Sequence, residues 1–301
     1  MTLVSFIMAV WRPRPDWLRE SVASVLAENN CDIELIVVDD GNEPPVSDEL
    51  SALNDSRLRF VRTSHRGHYA ARNAGLKAVT GDYVRFFDGD DVVAPGSTAR
   101  LLAAAKAAGK ETVAYGWTMM CDEQLTPYRL VSGGHEGDVA EDFLLGRFDV
   151  YIHGMLCPKS VLDRVGPWNE EKYRLMADRD FVQRVFEQAP ACELADVVTL
   201  YRRHPTSVTR SSRPADAVQA GLQVLEDYFA RHPEQRGTGL YRAAYKNLHV
   251  YRARQFYRLG EHGASLRQLA LAARHDPLAV GAAVLAVIGR RIARLARYAS
   301  H

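Results

Sequence analysis

The sequence predicts an α/β fold, a mainly parallel sheet sandwiched by helices, followed by a C-terminal helical extension. Three observations carry that reading. Over the first 120 residues, short apolar runs alternate with segments of helical period, the order of repeated βαβ units with right-handed crossovers. The runs are continuously apolar, as in Val4 to Val10 and Val84 to Phe87, which suits strands covered on both faces. Aspartates crowd the carboxyl ends of those runs, the edge at which open parallel sheets bind ligands.

The first strand is expected over Val4 to Val10. Its apolar run is short and no positive segment precedes it, so it reads as a buried strand rather than a signal peptide. Asp16 is a candidate cap for a helix that brings Leu18, Val22, Val25 and Leu26 to one face. Strands over Ile33 to Val38 and Arg57 to Arg62 come next, then a helix from Tyr69 to Val79 closed by Gly81. Tyr83 to Phe87 is a further strand, Pro95 opens an Ala-rich helix to Ala108, and Thr112 to Met119 is another strand. From about Met120 to Arg210 the pattern loosens into Gly and Pro turns, with a helix over Asp178 to Gln188 and a strand over Leu194 to Arg202. After Pro214 the chain is almost purely helical. The stretch from Tyr251 to Pro277 is similar to one tetratricopeptide-like hairpin, and a single copy does not establish a repeat array.

Composition narrows the class. With 301 residues, 47% hydrophobic and 25% charged, the chain can bury a sizeable core and is not a collagen, a disordered tail or a disulfide scaffold. The net charge of +1 hides an asymmetry: from Ser211 onward 14 Lys and Arg face 6 Asp and Glu, while the first 210 residues carry a net −7. An acidic body with a basic tail implies two parts, and the expected boundary lies near Ser211, giving domains over 1–210 and 211–301. Cys31, Cys121, Cys157 and Cys192 are scattered without a CxxC pair, as in a cytoplasmic protein with reduced thiols. The longest uncharged apolar run, Leu278 to Gly289, falls short of the ~20 residues of a membrane helix. The tail segment Ile288 to Tyr298 gathers Ile288, Ile292 and Leu295 on one face among Arg290, Arg291, Arg294 and Arg297. Such a helix can lie on an anionic membrane, giving peripheral contact with the inner face, or pack on the body with solvated arginines. The acidic body and the lack of a readable recognition module argue against nucleic acid as a partner.

The chemistry gathers at three strand ends: Val10-Trp11-Arg12, Asp39-Asp40-Gly41 and Asp88-Gly89-Asp90-Asp91. Five carboxylates on one edge repel each other unless a cation joins them, and Mg²⁺ or Mn²⁺ bridges carboxylates to substrate phosphates. Solvated turn aspartates are the alternative, since Asp-Gly is a common turn pair. No GxxxxGK[ST] loop is present to cradle phosphates by backbone alone.

Four segments in order, Val4-Ser5-Phe6-Ile7-Met8-Ala9-Val10, Glu34 to Gly41, Gly67-His68-Tyr69-Ala70-Ala71-Arg72-Asn73-Ala74-Gly75 and Gly81 to Asp91, resemble family-2 glycosyltransferases of the GT-A fold. The resemblance covers about Thr2 to Arg210. It implies a GT-A-type, Rossmann-like sheet in which 1–119 bind a nucleotide-diphosphate sugar and 120–210 face the acceptor. Ala9 and Trp11 would bind the nucleotide sugar, with Trp11 offering its flat face along the base. Asp40, or its neighbour Asp39, would accept the imide N–H of a uracil-like ring, and Arg72 would lie near the phosphates. Asp88 and Asp90 would form the DXD pair, with Asp90 the direct metal ligand and Asp91 left open. Tyr201-Arg202-Arg203-His204 resembles a family ending whose His approaches the metal. Gly166 to Glu171, leading into Ala177-Asp178-Arg179-Asp180, resembles the acceptor-side motif, with Ala177 where the family usually has Glu. It makes Asp178 the general base.

The activity implied is an inverting, metal-dependent hexosyl transfer, from a UDP-sugar to a carbohydrate, lipid-linked or other hydroxyl acceptor. Glycosyl transfer passes through an oxocarbenium-like transition state. One base and no carboxylate nucleophile give a single displacement. A nucleotidyltransferase shares the sheet and the carboxylates, but the stretch after strand one reads Trp11-Arg12-Pro13-Arg14-Pro15 rather than a glycine-rich phosphate loop. A catalytically silent sugar-nucleotide-binding module is the third class, and retention of Asp88, Asp90 and Asp178 weighs against it.

Overall fold

The computed structural model describes residues 2–109, 111–173, 175–205, 214–278 and 281. Its described residues fall into two compact units, 2–143 with 148–205 and 144–147 with 214–281.

The first unit is built on a mostly parallel sheet of nine strands. Strand β1 (Leu3–Val10) pairs in parallel with β2 (Asp32–Asp39) and with β4 (Tyr83–Asp88), and β2 pairs in parallel with β3 (Leu58–Arg62). Strand β5 (Val92–Val93) is short, and β6 (Val113–Cys121) runs parallel to β9 (Ala191–Arg202). Two further strands, β7 (Pro127–Val131) and β8 (Met155–Pro158), are antiparallel to β6, and β8 also joins β4. The sheet order is β3-β2-β1-β4-β8-β6-β9-β5, with β7 beside β6.

Helices α1 (Pro15–Leu26), α3 (His68–Ala78) and α4 (Ser97–Ala108) connect these strands, with the single turn α2 (Val46–Glu49) between the first two. One core lies under α1 and α4: Val4, Phe6, Met8 and Val10 of β1 meet Leu18, Val22, Val25, Leu101 and Ala105. On the other face α3 lies so close that a Cβ on Gly75 would stand 2.4 Å from Ile7 Cγ2, which only glycine avoids. Burial on both faces explains why β1, β2 and β4 read as unbroken apolar runs.

Some local expectations shift. Asp16 does not cap α1: Arg14 holds that place, and Pro15 starts the helix because its fixed φ suits the first helical position. Pro95 likewise stands ahead of its helix, whose N-cap is the left-handed Gly96. The stretch that reads as irregular holds β7, α5 (Ala140–Leu144), β8 and α6 (Lys159–Val165) before α7 (Ala177–Gln188).

The second unit packs helices Pro214–Arg231 and Gly239–Arg258 around Leu225, Tyr228, Phe229, Ala244 and Tyr245, with Leu144 and Leu145 in the same cluster. Gly260, at φ +78°, turns the chain into the helix His262–Ala273. The basic segment 288–298 lies outside the described residues. No described helix is long and apolar enough to cross a membrane.

Candidate active site

Register brings the three motif ends together. Ala9 sits between Val38 and Asp88, and Val10 is level with Asp39, so Trp11, Asp40 and Asp88 emerge along one edge of the sheet.

The two neighbouring aspartates of β2 do different work. Asp39 is buried and holds its own loop: Oδ1 accepts from the backbone N–H and side-chain amide of Asn42, and Oδ2 accepts from the Val46 N–H. Asp40 faces the loop after β3. Its Oδ1 accepts from Thr63 Oγ1 at 2.6 Å and the Arg66 N–H at 3.0 Å, and its Oδ2 from the Gly67 N–H at 2.9 Å. His65 Nδ1 lies 3.1 Å from the same Oδ2. Burial pushes the Asp40 carboxyl up, but these hydrogen bonds outweigh it and hold the group below its ordinary value. Trp11 is 47% exposed and lies parallel to the His65 ring at 4.3 Å.

Asp88 ends β4 and meets Arg72 of α3, whose Nη2 lies 2.7 Å from Oδ1, with His68 Nε2 at 3.7 Å. Burial raises the Asp88 carboxyl, but the charge of Arg72, together with His68 and His153, brings it down to about 2. Arg72 itself is buried under the Trp168 ring at 4.7 Å. The resemblance places Arg72 near the phosphates. It is paired with an acid, in the interior.

Asp90 and Asp91 diverge. Asp90 Oδ2 lies 2.9 Å from Nε2 of His204, at the far end of β9. Asp91 is fully buried: Oδ1 accepts the Arg202 N–H, and Oδ2 lies 3.1 Å from His153 Nδ1 without hydrogen-bond alignment. Asp91 Oδ2 and His153 Nε2 are thus buried with no hydrogen-bond partner among the described residues. Burial and the charges of Asp90 and Asp88 push the Asp91 carboxyl well up, while burial brings His153 down to about 4, leaving a neutral imidazole at pH 7.

Asp88, Asp91 and His153 offer ligand atoms within 4.8 Å of one another. Oxygen-rich donors, a neutral imidazole and mutually repelling carboxylates fit a hard divalent cation. This trio is not the expected Asp90 and His204 pair, which forms its own contact beside it.

Asp178 stands in the first turn of α7, two residues past the N-cap, because Met176 takes that position at φ +63°. It is exposed, and its Oδ1 accepts the N–H of Arg179 at 2.9 Å. Burial and the charge of Asp178 raise the neighbouring Tyr69 hydroxyl to about 12, and Asp88 and Arg72 act on the same hydroxyl. Asp180 turns inward to Arg184 at 2.9 Å.

Sequence reasoning passed over three groups. Asn73 clamps the Trp168 backbone, accepting its N–H at 2.8 Å and donating to its carbonyl at 2.9 Å, so the α3 motif holds the Gly166 to Glu171 segment. Trp168 then stacks on Phe181 of α7 at 4.0 Å. Arg202 donates to the Asp90 carbonyl, the Glu123 carbonyl and Glu20, tying the Asp88 to Asp91 turn to the end of β9. An arginine following the apolar Val197 and Val198 and the pair Leu200-Tyr201 at the strand end was the available signal. His153 sits in a 3-10 turn before β8, and nothing in its sequence spacing marked it.

A helix-flanked, mostly parallel sheet with acids along its carboxyl edge is an α/β architecture that takes ligands at that edge. Residues 5–164 match the sequence profile of Glycosyl transferase family 2, and the chain belongs to that family. It is 28% identical to the uncharacterized glycosyltransferase EpsJ of Bacillus subtilis (strain 168), over 83% of this chain and 74% of that protein. It is 32% identical to the succinoglycan biosynthesis protein ExoO of Rhizobium meliloti (strain 1021), over 36% of this chain and 31% of that one. The crystal structure of S. aureus TarS 1-349 in complex with UDP-GlcNAc superposes with a TM-score of 0.63 at 16% identity, covering 93% of this chain and 83% of that one. The shared fold is GT-A.

Proposed function

We propose that this glycosyltransferase is inverting and metal-dependent, moving a sugar from a UDP-sugar to a hydroxyl acceptor in cell-surface polysaccharide or glycoconjugate synthesis. The observation that carries the reading is the convergence of Asp88, Asp90 and His204 at the sheet edge near Trp11 and Asp40. TarS has been seen with UDP-GlcNAc and with UDP, and ExoO takes part in succinoglycan biosynthesis, which supports the donor and acceptor classes.

Within this reading, residues 1–210 form the catalytic domain and 211–301 an extension. Ala9 and Trp11 line the base, Asp40 accepts its N–H, and Asp39 keeps the Asn42 loop in shape. Arg72 fixes Asp88 toward the diphosphate. Asp90 and His204 would hold Mn²⁺ or Mg²⁺, which supplies positive charge against the departing diphosphate. Asp178 takes the proton of the acceptor hydroxyl, a general-base role. With no second carboxylate acting as nucleophile, the anomeric configuration inverts.

Contact of the basic 288–298 segment with an anionic membrane surface belongs to the same reading. Removing residues 290–301 should weaken binding to anionic liposomes at low salt while leaving turnover of a soluble acceptor intact. Titrating UDP-sugars by calorimetry with Mn²⁺ and then with excess chelator tests the donor reading. Binding of no nucleotide sugar under either condition would sink it.

A further inference from the structure

His65 already makes the two contacts that the proposed reading gives to the base. Its imidazole lies parallel to the Trp11 indole at 4.3 Å and 12°. Its Nδ1 lies 3.1 Å from Asp40 Oδ2, so the ring with its proton on Nδ1 donates to the carboxylate. A uracil-like ring needs the same flat face and the same acceptor. Asp40 has no easy vacancy for it, because its other three donors are two backbone N–H groups and the Thr63 hydroxyl, all fixed by the loop.

His65 is the donor that can move. Its side chain is 49% exposed. Its backbone cannot follow: φ is +46°, and Gly41 packs so tightly beneath it that an added Cβ would stand 2.9 Å from the His65 nitrogen. Beside the ring lies an open surface groove of about 820 Å³ lined by Gly41, Glu43, Arg62, Thr63, Ser64 and Arg66 as well as His65. A rotation about the side-chain bonds alone can carry the imidazole off Trp11 into that space.

We infer that His65 occupies the base subsite of the free enzyme and yields its place on Trp11 and Asp40 to the incoming nucleobase. The inference rests on the proposed UDP-sugar reading. It makes His65 a gate whose closed population reduces the apparent affinity for every nucleotide. The preference among bases then rests on Asp40, whose acceptor the departing imidazole frees. Uracil carries an N–H that replaces the imidazole donor, whereas the corresponding nitrogen of cytosine is itself an acceptor and leaves Asp40 unrepaid.

The test uses full-length wild type, His65→Ala and His65→Asn, with UDP and CDP as probes and Mn²⁺ present. His65→Ala should bind UDP roughly 3–10-fold more tightly, the gain expected when a mostly closed gate is removed. His65→Asn, which keeps a donor but loses the flat ring, should fall between. The preference for UDP over CDP should survive in His65→Ala. Without any nucleotide, acrylamide quenching of Trp11 fluorescence should rise in His65→Ala, read as the difference from the same proteins carrying Trp11→Phe. Unchanged or weaker UDP binding by His65→Ala, with normal binding by wild type, overturns the gate alone. Failure of wild type and both variants to bind UDP overturns the donor reading and the gate with it, and unchanged quenching overturns the stacking of His65 on Trp11.

Discussion

Arg72 Nη2 lies 2.7 Å from Asp88 Oδ1, and this pair joins the Gly67 to Gly75 motif to the Asp88 to Asp91 motif. The guanidinium is 3% exposed and the carboxylate 28%, so solvent screens the pair only partly. Removing Arg72 leaves Asp88 without its main counter-charge. Arg72→Ala should therefore cost about 2–3 kcal/mol of stability, less than for a fully buried pair because Asp88 is partly solvated. UDP affinity should fall at least roughly tenfold, since the diphosphate then meets an unpaired carboxylate. Urea unfolding and calorimetry on one preparation check both. An unchanged unfolding midpoint would show that the pair is energetically idle.

That pair also marks what the sequence made legible. The strands β1, β2 and β4 were readable because burial on both faces leaves apolar runs with little competing pattern. Asp88 and Asp90 were readable because carboxylates after such runs stand out. Strand β8 was not, since Met155–Pro158 is four residues long and its pairing with Tyr83, Val84, Ala114 and Tyr115 is a tertiary fact. The stack of Trp11 on His65 was hidden for the same reason: it joins the end of β1 to the loop after β3. Arg72 was visible as a motif residue, but its burial beneath Trp168 depends on the Asn73 clamp, which no spacing reveals.

Acid stability should carry a signature of Asp55. Arg57 donates to it from the backbone N–H, Nε and Nη2, and the same guanidinium reaches the carbonyls of Leu26 and Glu28. The side-chain hydrogen bonds of Arg57 hold the Asp55 carboxyl at about 2, below its ordinary 3.8. A depressed acid stabilises the fold above its unfolded value and loses that contribution as pH falls toward the folded one. The loss should therefore run from about pH 4 down to pH 2. After solvent screening it amounts to about 1 kcal/mol. Urea unfolding at pH 6 and pH 3 should show a smaller decline for Asp55→Asn than for wild type. Parallel declines would refute the assignment.

The two candidate ligand groups separate by mutation. If the cation lies between Asp90 and His204, Asp90→Ala should abolish the Mn²⁺ dependence of UDP binding, and His204→Ala should weaken Mn²⁺ affinity roughly tenfold or more. His153→Gln should then weaken Mn²⁺ affinity less than His204→Ala does, because His153 contacts Asp91 rather than the ion. Mn²⁺ binding is followed directly by the loss of its free-ion paramagnetic signal, so the result does not depend on turnover. A large effect of His153→Gln with a small one of His204→Ala would move the cation to the Asp88, Asp91 and His153 trio.

Asp178 is the remaining group whose chemistry can be separated from its structural role. Met176 is the N-cap of α7, so Asp178 is not needed to begin the helix, and its carboxylate accepts the neighbouring N–H of Arg179. Asp178→Asn keeps the size and an amide oxygen for that bond while removing the proton acceptor. Folding and UDP affinity should stay at wild-type values, whereas sugar transfer should fall by ~10²-fold or more, the scale of losing a general base. Both must be measured on one preparation, because partial misfolding would lower them together. Donor hydrolysis without acceptor serves as an internal control for an intact metal and diphosphate site. Near-normal transfer by Asp178→Asn would remove it from the mechanism. Asp180 is a poor replacement, since it is buried and held by Arg184 at 2.9 Å. The role would then pass to Glu171, which is exposed on the segment leading into the helix.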